Sequence, residues 1–180
     1  LYAMIHPPGP GRDLSDRIAM LRRLRELGYE AGSGVMVGIP GQTWDILAHD
    51  IGTFRELDLD MIGLGPYIPH PDTPLSSAPP APPSEQVPAT EDVTYRVLAL
   101  TRIACPLANI PSTTALATLN LAEGRERGLS RGANVVMPNV TPVRFRAHYE
   151  IYPSKACIHE TAGDCRGCIT RRIESIGRQV

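Results

Sequence analysis

The sequence predicts an α/β fold in which short parallel strands alternate with helices. Two apolar runs that carry no charge, Val35–Ile39 and the run that starts at Met61, suit strands of a parallel sheet, and the second suits a strand buried on both faces. The helical segment between them is long enough to be the crossover connection that parallel strands require. The chain contains four strand candidates, which is half the number in an eight-stranded (β/α) TIM-type barrel.

The individual elements follow from apolar spacing and from capping residues. A helix is predicted over Asp13–Leu27, with Asp13 or Ser15 as its cap and Gly28 at its end. Thr43 caps the next predicted helix, Trp44–Leu57. The same patterns predict two further helices and two further strands: Glu91–Ala104, Glu123–Arg131, Ala108–Leu116 and Ala133–Met137.

The run that starts at Met61 leads into a loop of proline, glycine, histidine and aspartate that ends at Pro74. Ligands of parallel α/β folds bind at the carboxyl ends of the strands, so we expect this loop to form one wall of an active site. The stretch from about 75 to 90 is rich in proline, alanine and serine, and we expect it to be an extended, exposed insertion.

Bulk properties narrow the class of protein. A formal net charge of −1 over 180 residues argues against nucleic-acid binding. No apolar run reaches membrane-spanning length, so we expect a soluble, cytoplasmic protein without a membrane partner. The chain starts at Leu1 and is expected to be a piece of a longer protein, with residues 1–148 as the barrel part and 149–180 as a C-terminal segment.

Three cysteines near the C-terminus form the pattern Cys157-x7-Cys165-x2-Cys168. Thiolates two residues apart can reach one metal from a single turn, and a third can join from a preceding loop, so the pattern predicts a metal site. With His159 as a fourth ligand the metal could be zinc, and unligated thiols remain an alternative. Cys105 lies in an apolar helix and is expected to pack in the core.

Other candidate site residues lie on the first helix and near strand ends. Arg17 is either a solvated surface cation or a guanidinium that pairs with a ligand carboxylate. Polar-tipped or polarizable side chains near the predicted strand ends could line a ligand pocket or could simply pack. They are Met61, Thr113, Thr114, Met137, Tyr149 and Tyr152.

Several long strings resemble the C-terminal half of HydE, the radical S-adenosylmethionine maturase family of FeFe-hydrogenase. These strings cover 26–30, 35–43, 60–75, 109–115, 132–139 and 152–157. The resemblance implies a complete parallel radical S-adenosylmethionine barrel, with a 4Fe-4S cluster on a CxxxCxxC loop that generates a 5′-deoxyadenosyl radical. No CxxxCxxC occurs in this chain, so the chain alone is not expected to generate the radical.

The resemblance also implies roles for individual residues. Arg17 resembles the arginine that binds the carboxylate of S-adenosylmethionine, and Met61 and Pro66 resemble contacts to its adenosyl side. Thr113, Thr114, Met137, Tyr149 and Tyr152 match the lining of the substrate cavity. The ligands of an auxiliary iron–sulfur cluster, 2Fe-2S or 4Fe-4S, match Cys157, Cys165 and Cys168.

The implied substrate is a small molecule or an organometallic iron–cysteine species, and the implied partners are other hydrogenase maturation proteins. Two alternatives stay open at this point. One is a biotin synthase-like or methylornithine synthase-like radical enzyme. The other is a non-catalytic scaffold that uses only the cysteine cluster to hold a metal.

Overall fold

Helices separate two short parallel strands in the computed structural model, which describes residues 1–6 and 16–180. Two short 3-10 turns, Pro74–Ser77 and Ala147–Tyr149, complete the regular structure of these residues. In chain order the helices and strands are α1 (Tyr2–Ile5), α2 (Arg17–Glu26), β1 (Gly32–Val37), α3 (Trp44–Glu56), β2 (Met61–Pro66), α4 (Glu91–Ala104), α5 (Thr114–Leu119), α6 (Gly124–Ser130), α7 (Val143–Arg146) and α8 (Ala162–Ser175).

The strands β1 and β2 pair in parallel, from Gly32 opposite Met61 to Val37 opposite Pro66. Helix α3 connects them, which confirms the predicted parallel crossover in an α/β fold. The first strand begins earlier than the predicted Val35 and ends before Ile39, so that prediction was wrong in its bounds. The strand stops at Val37 because Gly38 has a φ of 88°, which takes the backbone out of the extended conformation.

Two further segments pair in the parallel direction, each through a single isolated β-bridge. Asn109 bridges to Met61, and Pro111 bridges to Val135. The predicted strands Ala108–Leu116 and Ala133–Met137 were therefore too long, and the first overran into helix α5. Pro111 has no amide hydrogen, which limits the hydrogen-bond ladder at this point.

A side-chain network holds these two segments where the ladder is short. The Asn134 side-chain oxygen accepts hydrogen bonds from the Ile110 amide at 2.7 Å and from Arg102 Nη2 at 3.0 Å. Arg102 also donates to the carbonyls of Ala108 and Gly132, at 2.8 Å each. Helix α4 thereby fixes both bridging segments against the strand pair.

The predicted helices are confirmed where the structure describes them. Helix α4 has the predicted bounds, and Thr43 caps α3 by accepting from the Ile46 amide at 3.3 Å. Helix α2 is capped by Asp16, and Gly28 follows it with a φ of 82°. The two predicted caps Asp13 and Ser15 lie outside the described residues.

Strand β2 has one buried face and one open face. Ile62, Leu64 and Pro66 are buried, whereas Met61, Gly63 and Gly65 are only partly covered. The expectation of burial on both faces was therefore wrong, because two glycines leave room on one side. The most completely buried apolar side chains belong to the buried face of β2 and to the elements around that strand. They are Val37, Ile62, Leu64, Val87, Leu98, Ile110 and Leu116.

The proline-rich insertion folds back onto the loop that follows β1, so it is not the fully exposed segment that the composition predicts. Val87 is completely buried, and its amide donates to the Gln42 carbonyl at 2.9 Å. The Gln86 side chain accepts from the amides of Gly41 and Ala81 at 2.9 and 2.8 Å. One side chain thus links the insertion to the β1 loop.

The C-terminal helix α8 was not among the predicted elements. Thr161 and Asp164 form a capping box at its start, a signal that was visible in the sequence. Ile169, Ile173 and Ile176 follow at helical spacing, and all three are at least partly buried. None of the helices in the described ranges is both long enough and apolar enough to cross a membrane.

We expect Gln86→Ala to lower the free energy of unfolding by about 1–3 kcal/mol, because it leaves two loop amides without their acceptor. The variant should also be cleaved faster by protease between residues 75 and 90. Chemical denaturation and limited proteolysis measure the two effects. Glu85→Ala, an exposed neighbour, is the matched control, and an equal effect of both substitutions would contradict the anchoring role of Gln86.

Candidate functional site

A cavity of about 1010 Å³ lies over the open face of the strand pair. Its walls come from α2, from the glycines of β1 and β2, and from the loops that follow them. Of the residues singled out in the sequence, five line it: Arg17, Pro66, Thr113, Thr114 and Tyr152. They come from four separate parts of the chain, so the fold brings together groups that the sequence places far apart.

Glycines create the floor of this cavity. Gly34 of β1 and Gly63 of β2 lie opposite each other in the strand pair, and Gly65 follows on the same face of β2. A Cβ atom at Gly65 would lie 2.9 Å from the Thr113 hydroxyl, closer than such contacts allow. The backbone is therefore exposed to the cavity, and a ligand can approach it directly.

Two buried hydroxyls at the cavity have no hydrogen-bond partner among the described residues. They belong to Tyr67 and Thr113, both of which line the cavity. Burial raises the pKa of the Tyr67 phenol, so the group stays protonated and able to donate. Buried polar groups are normally satisfied, so these two hydroxyls indicate that a polar ligand or solvent completes the site.

Charged groups surround the same cavity. Arg17, the first residue of α2, lines it and is exposed. Asp50 of α3 also lines it, and burial raises the pKa of its carboxyl group, an effect that neighbouring His49 opposes. His6, His70 and Lys155 also line the cavity. The cavity therefore offers separate cationic and acidic positions to a zwitterionic ligand.

A second, smaller cavity of about 250 Å³ receives other predicted residues. Met137, Tyr149 and Cys157 line it, and Thr114 and Lys155 line both cavities. The two cavities are therefore neighbours, and the structure divides the predicted substrate-cavity residues between them. The roles predicted for these residues remain predictions.

Met61 lines neither of these two cavities. It is the first residue of β2, opposite Gly32, and bridges to Asn109. It shares the open face with Gly63 and Gly65 but lies at the opposite end of the strand from Pro66. Any contact between Met61 and a ligand at Pro66 would have to span the length of β2.

The three C-terminal cysteines are not gathered into one site. Cys165 and Cys168 lie on α8, and Cys157 lies in the preceding loop with a left-handed φ of 65°. The Cys165 side chain contacts Cys157, and the Asn139 amide donates to the Cys165 sulfur at 3.4 Å. In residues 1–6 and 16–180, no group of three histidine, cysteine or acidic side chains is placed to hold a metal ion.

The described conformation therefore does not fit the predicted metal site, for iron–sulfur or for zinc. His159 is exposed and does not change this result. Burial raises the pKa of the Cys157 thiol, while nearby Arg125 opposes the shift. The prediction for Cys105 is confirmed, since it is buried in the apolar core after α4.

Tyr152 is positioned by helix α5. The Thr118 hydroxyl contacts the Tyr152 phenol and accepts from the Ala156 amide at 3.1 Å. Burial raises the pKa of Tyr152, and the Thr118 contact and the Arg125 charge act against that shift. The C-terminal segment is thus held against the helix that carries Thr114, which places Tyr152 at the main cavity.

Sequence reasoning missed several residues of the two cavities. Arg125, Arg146 and Lys155 line the smaller one, and Asp50 lines the larger. Lys155 lies in a string that already pointed to function, two residues before Cys157. Nothing in the local sequence indicates that Arg125 and Arg146 line a cavity, because an arginine close to other arginines is usually part of a solvated surface.

Comparison with known proteins adds one relative. No protein-family profile matches the chain. The [FeFe] hydrogenase maturase subunit HydE of Thermotoga maritima is 45% identical over 170 residues, which is 94% of this chain and 46% of the relative. The chain thus spans about half the length of the curated relative that it matches. The similarity confirms the resemblance that the sequence strings indicated.

We expect Gly65→Ala to lower the free energy of unfolding by about 1–3 kcal/mol, because the new methyl group collides with the Thr113 side chain. Gly63→Ala is the matched control on the same face. Its methyl group would meet only the Ser33 carbonyl oxygen, at 3.8 Å. The control should therefore be neutral or stabilising by up to about 1 kcal/mol. Chemical denaturation measures both, and an equal loss in the two variants would contradict this account of the cavity floor.

Proposed function

Because the chain belongs to the HydE family, we propose that it is the second half of a radical S-adenosylmethionine enzyme that acts in the maturation of [FeFe] hydrogenase. The single observation that carries this proposal is the 45% identity to HydE across nearly the whole chain. We further propose that the preceding part of the protein completes a parallel barrel and carries the 4Fe-4S cluster on its CxxxCxxC loop.

The main cavity supports S-adenosylmethionine as the ligand. Its volume of about 1010 Å³ falls at the upper end of the range for small-molecule sites. The unpartnered hydroxyls of Thr113 and Tyr67 and the bare glycine backbone suit a ligand that carries many polar atoms. Arg17 and Asp50 offer partners for its carboxylate and its ammonium group.

In this proposal Arg17 binds the carboxylate of S-adenosylmethionine through the paired hydrogen bonds that a guanidinium can donate. Pro66 and the segment 35–38, which spans the end of β1 and the following glycine, contact the adenosyl side. Thr113, Thr114 and Tyr152 line the space beyond it for the substrate. Met137 and Tyr149 extend that space into the smaller cavity.

Held by Arg17 and Pro66, S-adenosylmethionine would supply 5′-deoxyadenosyl radical chemistry to the site. The residues of this chain contribute position and exclusion: they hold the cofactor, orient the substrate against it and keep water out. The strand ends and the short helix α5 suit that task, because sites built on regular elements keep their geometry.

The substrate and partners follow from the family in this proposal. The substrate is a small molecule or an organometallic iron–cysteine species, the partners are the other hydrogenase maturation proteins, and the setting is the cytoplasm. The resemblance also assigns Cys157, Cys165 and Cys168 to an auxiliary cluster. The described conformation brings only Cys157 and Cys165 into contact, so no catalytic step is assigned to that cluster.

The proposal is tested with the anaerobically purified protein that contains this chain, supplied with S-adenosylmethionine and a reductant. We expect 5′-deoxyadenosine to form and inactive hydrogenase to be activated in a maturation system that lacks its own HydE. Formation of 5′-deoxyadenosine without hydrogenase activation would favour a biotin synthase-like or methylornithine synthase-like reaction. If the purified protein contained zinc without iron and formed no 5′-deoxyadenosine, the remaining alternative would be a non-catalytic metal-binding scaffold.

We expect Arg17→Gln to weaken S-adenosylmethionine binding by roughly 10- to 100-fold, because it removes charge-assisted hydrogen bonds to the ligand carboxylate. Equilibrium dialysis with the labelled cofactor measures the affinity. Arg22→Gln is the matched control, since Arg22 is an exposed arginine on the same helix that does not line the cavity. Equal affinities of the two variants would refute the role of Arg17.

A further inference from the structure

Tyr67 follows directly on the carboxyl end of β2 and belongs to the open face of that strand. Side chains alternate between the two faces of a strand, so Tyr67 continues the row that contains Gly63 and Gly65. All three residues line the main cavity. Because the two glycines carry no side chains, Tyr67 is the residue of this row that brings a hydroxyl to the cavity.

The backbone holds Tyr67 in place. Its amide donates to the Val37 carbonyl at 2.8 Å, which extends the pairing of β1 and β2 by one residue beyond Pro66. A tyrosine side chain has only two torsions, so a fixed backbone restricts the phenol to few positions. The phenol therefore meets the cavity at a defined point, beside Pro66 and the end of β1.

The phenol oxygen of Tyr67 is buried, and none of the described residues forms a hydrogen bond with it. The Thr113 hydroxyl at the same cavity is also unpartnered, so the two hydroxyls do not satisfy each other. Burial raises the pKa of the Tyr67 phenol, which therefore keeps its hydrogen and can donate it. A buried hydroxyl without a partner costs free energy in the ligand-free protein.

Packing alone does not account for this hydroxyl. A phenylalanine ring would fill the same space and would leave no buried polar atom unsatisfied. Tyr95 shows the contrast within the same chain, because its phenol oxygen lies 3.2 Å from Glu91 Oε2 and 3.3 Å from the Gly124 carbonyl oxygen. The fold thus satisfies the phenol of Tyr95 and leaves that of Tyr67 open toward the cavity.

We propose that the Tyr67 phenol donates a hydrogen bond to the adenosyl part of S-adenosylmethionine and so contributes to its affinity. This inference rests on the proposed function, which places the adenosyl part at Pro66 and at the segment 35–38. Both flank Tyr67, whereas Arg17, the proposed partner of the carboxylate, lies on α2. The ribose oxygens and the adenine nitrogens are hydrogen-bond acceptors, so the adenosyl part offers what a phenol donor requires.

Equilibrium dialysis of labelled S-adenosylmethionine against the anaerobically purified protein that contains this chain tests the inference. We expect Tyr67→Phe to weaken binding about tenfold, because the variant removes one hydrogen bond and leaves the acceptor on the ligand unpaired. Tyr29→Phe is the matched control, since Tyr29 is exposed and does not line the cavity, and its variant should bind as the parent does. L-methionine lacks the adenosyl part, so its inhibition constant against the labelled cofactor should be the same for the parent and for Tyr67→Phe.

The thermal midpoint of the ligand-free protein separates ligand binding from a structural role. Tyr67→Phe removes a buried, unsatisfied hydroxyl, so its midpoint should equal or exceed that of the parent. A lower midpoint would assign the hydroxyl to a bond within the protein and would overturn the inference.

Two binding results would also overturn the inference and leave the proposed function intact. One is equal affinity of Tyr67→Phe and of the parent for S-adenosylmethionine. The other is a loss of methionine binding in Tyr67→Phe as large as the loss of S-adenosylmethionine binding. Failure of the proposed function is recognised differently, because the parent protein itself would then neither bind S-adenosylmethionine nor form 5′-deoxyadenosine.

Discussion

Two glutamine side chains set the shape of the end of the strand pair where the main cavity opens. The completely buried Gln42 accepts from the Gly38 amide at 2.6 Å and donates to the Met36 carbonyl at 3.1 Å, which closes the loop after β1 on itself. Gln86 then joins that loop to the proline-rich insertion through the Gly41 amide and the Ile39 carbonyl. A primary amide can donate and accept at once, so each glutamine satisfies backbone groups that no strand ladder reaches.

The position of the cavity depends on this closure. The loop turns away at Gly38, where a Cβ atom would run into the backbone of Ala89, so the insertion packs directly against the turn. Val87 is buried behind it, while the open face of β1 and β2 is left uncovered. Proline restricts the insertion before it folds, which lowers the conformational entropy lost when it packs. The insertion has the composition of a linker, but it packs against the loop after β1 and supports that loop.

The sequence was informative where periodicity and capping act locally. The bounds of α4 and the Thr43 cap followed from apolar spacing and a single hydroxyl, and the parallel order of β1 and β2 followed from the helix between them. It failed at 108–116, where Pro111 limits the ladder and a helix starts at Thr114. It also gave no sign of Arg125, because long-range packing, and not the local pattern, decides whether an arginine is buried. Resemblance to a family supplied the candidate site, and the fold then divided most of its residues between two cavities, while Met61, Cys165 and Cys168 line neither.

The Thr113 hydroxyl shows how the main cavity is kept polar. Thr113 is the N-cap residue of α5, a position where a threonine normally accepts a hydrogen bond from the first turn, but its side chain makes no such bond. The hydroxyl is buried without a partner beside Gly65, an arrangement that costs about 1–3 kcal/mol when no ligand or solvent satisfies it. Turning the side chain to cap the helix would recover part of that energy and would remove the hydroxyl from the cavity. Because the fold leaves both the cap and the hydroxyl unsatisfied, the balance of free energies favours a ligand or a solvent molecule that bonds to Thr113.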